Sequence, residues 1–424
     1  MRFWQQLVRD SMTNRKWLGL VIIIMVVGAA ISGGFITPIL WRNYGYIYLI
    51  RTILDPNSAI PQARIQRAFE RSNDRRGLAH LAAFSGDQSK ALDYFKDVVV
   101  DQPNDVVSNY YLGELYFGMG DYEKAIETWR RADPINIAQL LSHTASEELA
   151  MGDMENARTL SELAIAVAPD YAPALYQAGK VYASIGQDEA AISAYIRFTI
   201  HEQDRAMLAN GYRNLGDLYK RRGELDKAIA AYQLAMGLDP ANMDSAISLL
   251  RLYIYNQMYN EAEKLGGNIL DAEPEFITGI IAMGELYQIQ GDLERARSWY
   301  QKVREIDPHS GAGEASLGIL EVETGNPSVA IEHLTVAVEL EPEMRSWWRW
   351  LGIACRKAGK FEQAIDSFNQ ALSSPGYEAP DVETLVELAR TYDQIGMEDL
   401  ALNTWQEVLR LDPDNPEALK AREQ

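Results

Sequence analysis

Seven positions recur in register along most of the chain, and this limits the fold more than any other feature. Counted from Gly216, offsets of 3, 7, 12, 16, 19 and 24 give Tyr219, Gly223, Ala228, Tyr232, Ala235 and Pro240. The frame returns as Gly284, Tyr287, Gly291, Ala296, Tyr300, Val303, Pro308, and as Gly318, Glu321, Gly325, Ala330, Leu334, Ala337, Pro342. Fainter copies carry Gly113, Gly120 and Trp129; Gly179, Gly186 and Tyr195; Gly352, Gly359 and Phe368; Ala389, Gly396 and Trp405. Around Leu250 the small residues at both Gly positions are lost. Frame starts fall at residues 72, 106, 138, 172, 209, 243, 277, 311, 345 and 382, so ten copies cover 72–415. A chain built this way stacks one small unit many times, each copy burying its apolar face on the next.

Each unit reads as two helices, from apolar residues at helical spacing. The Gly at offset 7 permits a left-handed turn after the first helix. Acids such as Glu224 and Asp226 then open the second at its positive end. Ala at offset 12 and small or aromatic residues at offsets 0 and 16 allow close helix packing. Asp-Pro steps, at Asp239-Pro240, Asp307-Pro308 and Asp412-Pro413, end the second helix.

In period and in these residues the pattern resembles the tetratricopeptide repeat. The resemblance implies an all-α, right-handed α-solenoid of about ten helix pairs. It also implies a concave groove, lined by the first helices, that holds peptides or partner proteins, and no catalysis. Trp348 falls on a position the family fills with a core aromatic; Trp347 and Trp350 have no such place.

Ahead of the repeats, residues 17–41 contain no charged side chain. As a helix this segment is about 36 Å long, enough to cross a hydrocarbon core of about 30 Å. Trp17 and Trp41 bound it, and Tyr44 and Tyr46 follow, residue types that favour a lipid–water interface. Residues 1–16 hold four bases and one acid, which favours an N-terminus inside the cytoplasm and repeats outside it. The organisation expected is a basic segment 1–16, a transmembrane helix 17–41, a juxtamembrane linker 42–71 with a short basic helix, the solenoid 72–415, and a C-terminal tail 416–424. The rival reading is a cleaved signal peptide that releases a secreted binding module. Apolar residues continuing through Phe35, Ile36, Ile39 and Leu40 favour the uncleaved anchor.

The formal charge is −20, and with residues 1–41 at +3 the remainder carries −23. So acidic a body argues against nucleic acid as a partner, since that binding needs basic surface. One cysteine, Cys355, excludes a disulfide framework and any Cys-based metal site. The five histidines lack ligand spacing. Gly179-Lys180 and Gly359-Lys360 lack the rest of a phosphate-binding loop. No cofactor, metal or catalytic residue is expected.

On the first helices of the last six copies, offsets −3, +1 and +4 share one face. Its bases are Arg213, Lys220, Arg251, Arg349, Arg356 and Arg390, and its acids Asp217, Glu285 and Asp393. Aliphatics such as Ile281 and Ile319 stand between them, and Tyr255 adjoins Arg251 one turn on. This set is the candidate partner-binding surface, suited to a peptide with acidic and apolar side chains. The function expected is a membrane-anchored scaffold in the assembly or regulation of a cell-envelope complex. A further alternative is a structural homo-oligomer joined through the solenoid ends.

Overall fold

The computed structural model describes residues 45–46, 48–49, 62–374 and 381–422. Among them are 22 α-helices and no strand. The expected transmembrane helix 17–41, with Trp17, Trp41 and Tyr44, lies outside the described residues. No helix among the described residues is long and apolar enough to cross a membrane.

The chain divides into two compact units, the first ending at Glu202 and the second beginning at Gln203. Unit 1 holds α1 (Gln62–Ser72), α2 (Arg75–Phe84), α3 (Gln88–Asp101), α4 (Val106–Gly118), α5 (Tyr122–Arg131), α6 (Pro134–Ala150), α7 (Met154–Val167), α8 (Ala172–Ser184) and α9 (Asp188–His201). Unit 2 holds α10 (Arg205–Arg221), α11 (Leu225–Leu238), α12 (Met243–Tyr255), α13 (Tyr259–Ala272), α14 (Ile277–Ile289), α15 (Leu293–Ile306) and α16 (Gly311–Glu323). It continues through α17 (Pro327–Leu340), α18 (Arg345–Lys357), α19 (Phe361–Ser373), α20 (Val382–Gln394), α21 (Glu398–Leu411) and α22 (Pro416–Arg422). From α2 to α21 each even-numbered helix is the first of a pair, giving ten pairs, four in unit 1 and six in unit 2, and α22 follows the last pair. Helices α6 and α10 start about one turn before their frames, at Pro134 and Arg205, because Asp133 and Asp204 cap them there.

The turn within a pair is set by one residue. Gly120 has φ of 75°, its amide donates to Phe117 O, and the Asp121 amide donates to Tyr116 O. These are the two bonds of a Schellman stop, which needs a left-handed residue. The Asp121 side chain then accepts from the Lys124 amide and caps the next helix. Nine pairs place Gly at the turn; in the α12–α13 pair Gln257 takes the same conformation, at φ 59°.

The pairs close by fitting a large side chain over a small one. Gly216 faces Tyr232, where an added Cβ would stand 2.6 Å from Cε1 of the ring. Trp129, Tyr195, Tyr300 and Phe368 fill the same place over Gly113, Gly179, Gly284 and Gly352, all at 2% exposure or less. Burying one such ring contributes about 2–3 kcal/mol. In the α12–α13 pair Leu250 takes the first-helix glycine position, and Gly266 on the second helix makes room for Met283 of α14, whose Sδ lies where an added Cβ would fall, with Leu250 Cδ2 in ordinary contact at 3.6 Å. The space left by Gly266 is thus filled from the next pair.

Residues ahead of the first frame also join the stack. Phe69 of α1 is fully buried, and its ring lies where a Cβ on Gly45 or on Gly77 would fall. Tyr46 stands edge-on to Phe69 at 5.0 Å, with Leu49, Ile65 and Leu81 completing the cluster. The Tyr46 ring, expected at a lipid interface, is thus packed against protein.

The tryptophans of α18 depart from expectation. Trp347, not Trp348, is the buried ring, seated where Gly311 leaves room. Trp348 is half-buried, and its indole N–H donates to Pro342 O at 2.8 Å.

Candidate partner-binding face

In unit 2 the expected basic residues sit on the first helices α10, α12, α18 and α20. Most of them do not present free charge. Arg251 on α12 meets Glu285 on α14, with Nε and Oε2 3.3 Å apart. Arg349 on α18 meets Asp381 at 2.6 Å and Glu383 at 2.7 Å, at the start of α20. Arg356 meets Glu387 at 2.5 Å. Glu387 also accepts from Arg390, whose guanidinium is shared with Glu417 of α22. Gln288 donates to Glu323 at 2.6 Å between α14 and α16. The result is a set of inter-repeat bonds about 27 to 35 residues apart in sequence.

These contacts set local protonation. Burial alone would push the Asp381 carboxyl up, but the Thr384 hydroxyl and the Arg349 guanidinium together hold it below the usual range. The hydrogen bond from Arg390 lowers Glu417. The carboxylates remain charged at neutral pH, so the surplus of positive charge counted on the first helices is cancelled by acids of the next repeat.

Two of the six bases are different. Arg213 on α10 is half-buried, and its Nε is buried without a hydrogen-bond partner. Lys220, two turns on, is exposed. Between them Asp217 accepts a hydrogen bond from the Tyr232 hydroxyl at 2.6 Å. Burial and that carboxylate raise the phenol pKa, so Tyr232 stays neutral.

The apolar residues of the face divide in the same way. Ile281 and Ile319 are half-buried between helices. Ile247, Ile254 and Val322 are core. Tyr255 is 84% exposed, and Ile289, at the equivalent position on α14, is 54% exposed. Arg251 and Tyr255, four residues apart, share one side of α12. Reading the −3, +1 and +4 offsets alone overlooks Ile289. Its signal was its position five residues after Gly284, matching Tyr255 after Leu250.

Nothing in this arrangement resembles a reaction centre. Among the described residues no cluster of His, Cys, Asp or Glu is arranged to hold a metal. Cys355 is buried, and burial pushes its thiol pKa up, away from the reactive thiolate.

Three family models, each described as tetratricopeptide repeat, match this chain. They cover residues 76–137 and 316–380, residues 209–242, and residues 172–199 and 279–310. Together they span just over half of its length. Among curated proteins, BBSome complex member BBS4 of Bos taurus is 34% identical over 92 residues, which are 22% of this chain and 18% of that one. The human protein O-mannosyl-transferase TMTC1 is 24% identical over 226 residues, 52% of this chain and 25% of its own. The chain thus spans a quarter or less of the length of these two relatives. The crystal structure of yeast Tom70 superposes with a TM-score of 0.54, covering 91% of this chain and 94% of that one at 14% identity, a likeness of fold.

Proposed function

We infer that this chain, which belongs to the tetratricopeptide repeat family, is a non-catalytic scaffold that binds partner proteins through the first-helix face of unit 2. The observation that carries this reading is the pair of exposed apolar side chains, Tyr255 and Ile289, at equivalent positions on successive first helices. Exposed tyrosines with an arginine alongside are common centres of binding energy. The partner is a peptide segment with apolar side chains for Tyr255 and Ile289. Its acidic groups are drawn to Arg213 and Lys220 rather than to the arginines already held by carboxylates. The uncharged stretch 17–41 supports tethering of the scaffold to a membrane, and the bases within residues 1–16 support repeats outside the cytoplasm, where a cell-envelope complex would be its partner.

The test is photocrosslinking from position 255 with a benzophenone amino acid in living cells. A discrete adduct that disappears when Ile289 is changed to Asp supports the face. Unchanged adducts in that variant, or labelling only of a second copy of the chain, would overturn it. Protease treatment of right-side-out vesicles tests the tether. Repeats digested from outside while an N-terminal tag survives fit the proposed topology, and repeats protected until detergent is added contradict it.

A further inference from the structure

A second candidate surface lies in unit 1. Where α3 and α5 flank α4, the side chains leave a cavity of about 330 Å³. Its apolar part is Val99 and Val100 of α3 with Leu112 and Tyr116 of α4. Val100 is 77% exposed, so one apolar wall is open to water. Around this floor stand Lys96 of α3 and Lys124, Glu127, Thr128 and Arg131 of α5.

The two lysines sit over the Tyr116 ring, with Lys96 Nζ 5.9 Å and Lys124 Nζ 5.5 Å from its centre. A ring face attracts cations and holds both heads beside the cavity. Lys124 is shared with Asp121 at 2.5 Å, and Arg131 with Glu127 at 2.6 Å. Lys96 is exposed and makes no ion pair among the described residues. Its charge is open to a ligand.

The trio is particular to this junction. The repeating frame places equivalent residues wherever two second helices flank a first helix. At the next junction of unit 1 they are Arg130, Asn156 and Leu163. In unit 2 the most basic set has two cations, Arg295 and Lys302, with Gly267 in place of the third. Three cations occupy these positions at this junction; Asp121 and Glu127 hold two of them, and Lys96 is the open charge.

We propose that the cavity between α3, α4 and α5 is a second docking site, for an acidic peptide segment of a partner protein. A leucine or phenylalanine of that segment rests on Val99, Val100, Leu112 and Tyr116, and an adjacent glutamate or aspartate faces Lys96. Charge complementarity selects an acidic segment over a basic one, and the open apolar wall accounts for a requirement for an apolar side chain. The site is independent of the face carrying Tyr255.

The probe is a fluorescein-labelled octapeptide of glutamates with one leucine and one phenylalanine, beside its all-lysine counterpart. Fluorescence anisotropy is read against the full chain in nanodiscs of zwitterionic lipid, with empty discs as the blank. The acidic peptide is expected to bind, and the basic one not. Lys96→Glu and Val100→Asp, both on exposed side chains, are expected to weaken it at least about tenfold with an unchanged circular dichroism spectrum, while Arg251→Glu leaves it intact. No binding by the wild type, equal binding of both peptides, or full binding by Lys96→Glu would each overturn the site. Loss in Arg251→Glu with retention in Lys96→Glu would move the peptide to the unit 2 face, which sinks this proposal and leaves the proposed function standing.

Discussion

His80 offers a test of the fold that can be worked through in numbers. It lies on α2, half-buried, with rings on three sides: Tyr111 of α4 at 4.6 Å, Phe95 of α3 at 5.2 Å and Tyr46 at 6.4 Å. Burial lowers its pKa from 6.5 to about 4, with the Arg76 charge assisting and Asp74 and Asp105 opposing. The folded state therefore resists a proton that the unfolded chain accepts near pH 6.5. Stability from this source is complete above pH 6.5 and is lost as the pH falls towards 4. Between pH 7 and pH 4.5 the loss amounts to about 2 kcal/mol. His80→Gln removes the titrating group, so its unit 1 should lose about 2 kcal/mol less over that range. Hydrogen exchange of the α2–α4 amides reads the difference locally, and an NMR titration reads the imidazole itself. An imidazole titrating between pH 6 and 7, or identical pH profiles for the two proteins, would refute the buried neutral histidine.

Three further predictions concern unit 2. Gly216→Ala, normally a gain in a helix interior, should destabilise by about 2 kcal/mol in urea denaturation, because the new methyl collides with Tyr232. Gln257→Gly should stabilise by about 1 kcal/mol by relieving a left-handed conformation at the α12–α13 turn, and an unchanged midpoint would mean the turn is not strained. Arg297 holds the buried Glu321, whose carboxyl burial would raise but Arg297, Asn326 and Thr324 keep low. Arg297→Ala should cost about 3 kcal/mol at neutral pH, and the cost should shrink as the pH falls and Glu321 takes up a proton. A cost independent of pH would show that packing, not charge, is what Arg297 supplies.

The helix pairs were legible because glycine and aromatic residues answer each other at a spacing of 16, and a pair such as Gly216 and Tyr232 means the same thing in the chain and in space. At Leu250 and Gly266 single-position matching sees two losses, and the packing rule is met only across pairs, by Met283 of α14. Gly45 and Phe69 obey it too, but 24 residues separate them, so the layer they form fell outside the repeating frame. Trp347 and Trp348 were misjudged for a related reason. Which of two adjacent rings turns inward depended on the space left by Gly311 on the neighbouring pair.

The charge of the candidate face was the least legible property, and its cause bears on how the face works. A count along one side of one helix treats each arginine as open. In the folded chain Arg349, Arg356 and Arg390 reach Asp381, Glu387 and Glu417, which belong to later turns and helices and were never part of the count. Such partly exposed pairs each contribute about 0–1 kcal/mol, and an incoming carboxylate must displace an equivalent one already in place. Net attraction from those arginines is therefore small. What they do is hold successive first helices in register, and this fixes the spacing of whatever the helices display. Affinity then has to come from side chains without an internal partner, Tyr255 and Ile289 above all, so apolar contact decides the strength of binding on this face and charge decides its alignment.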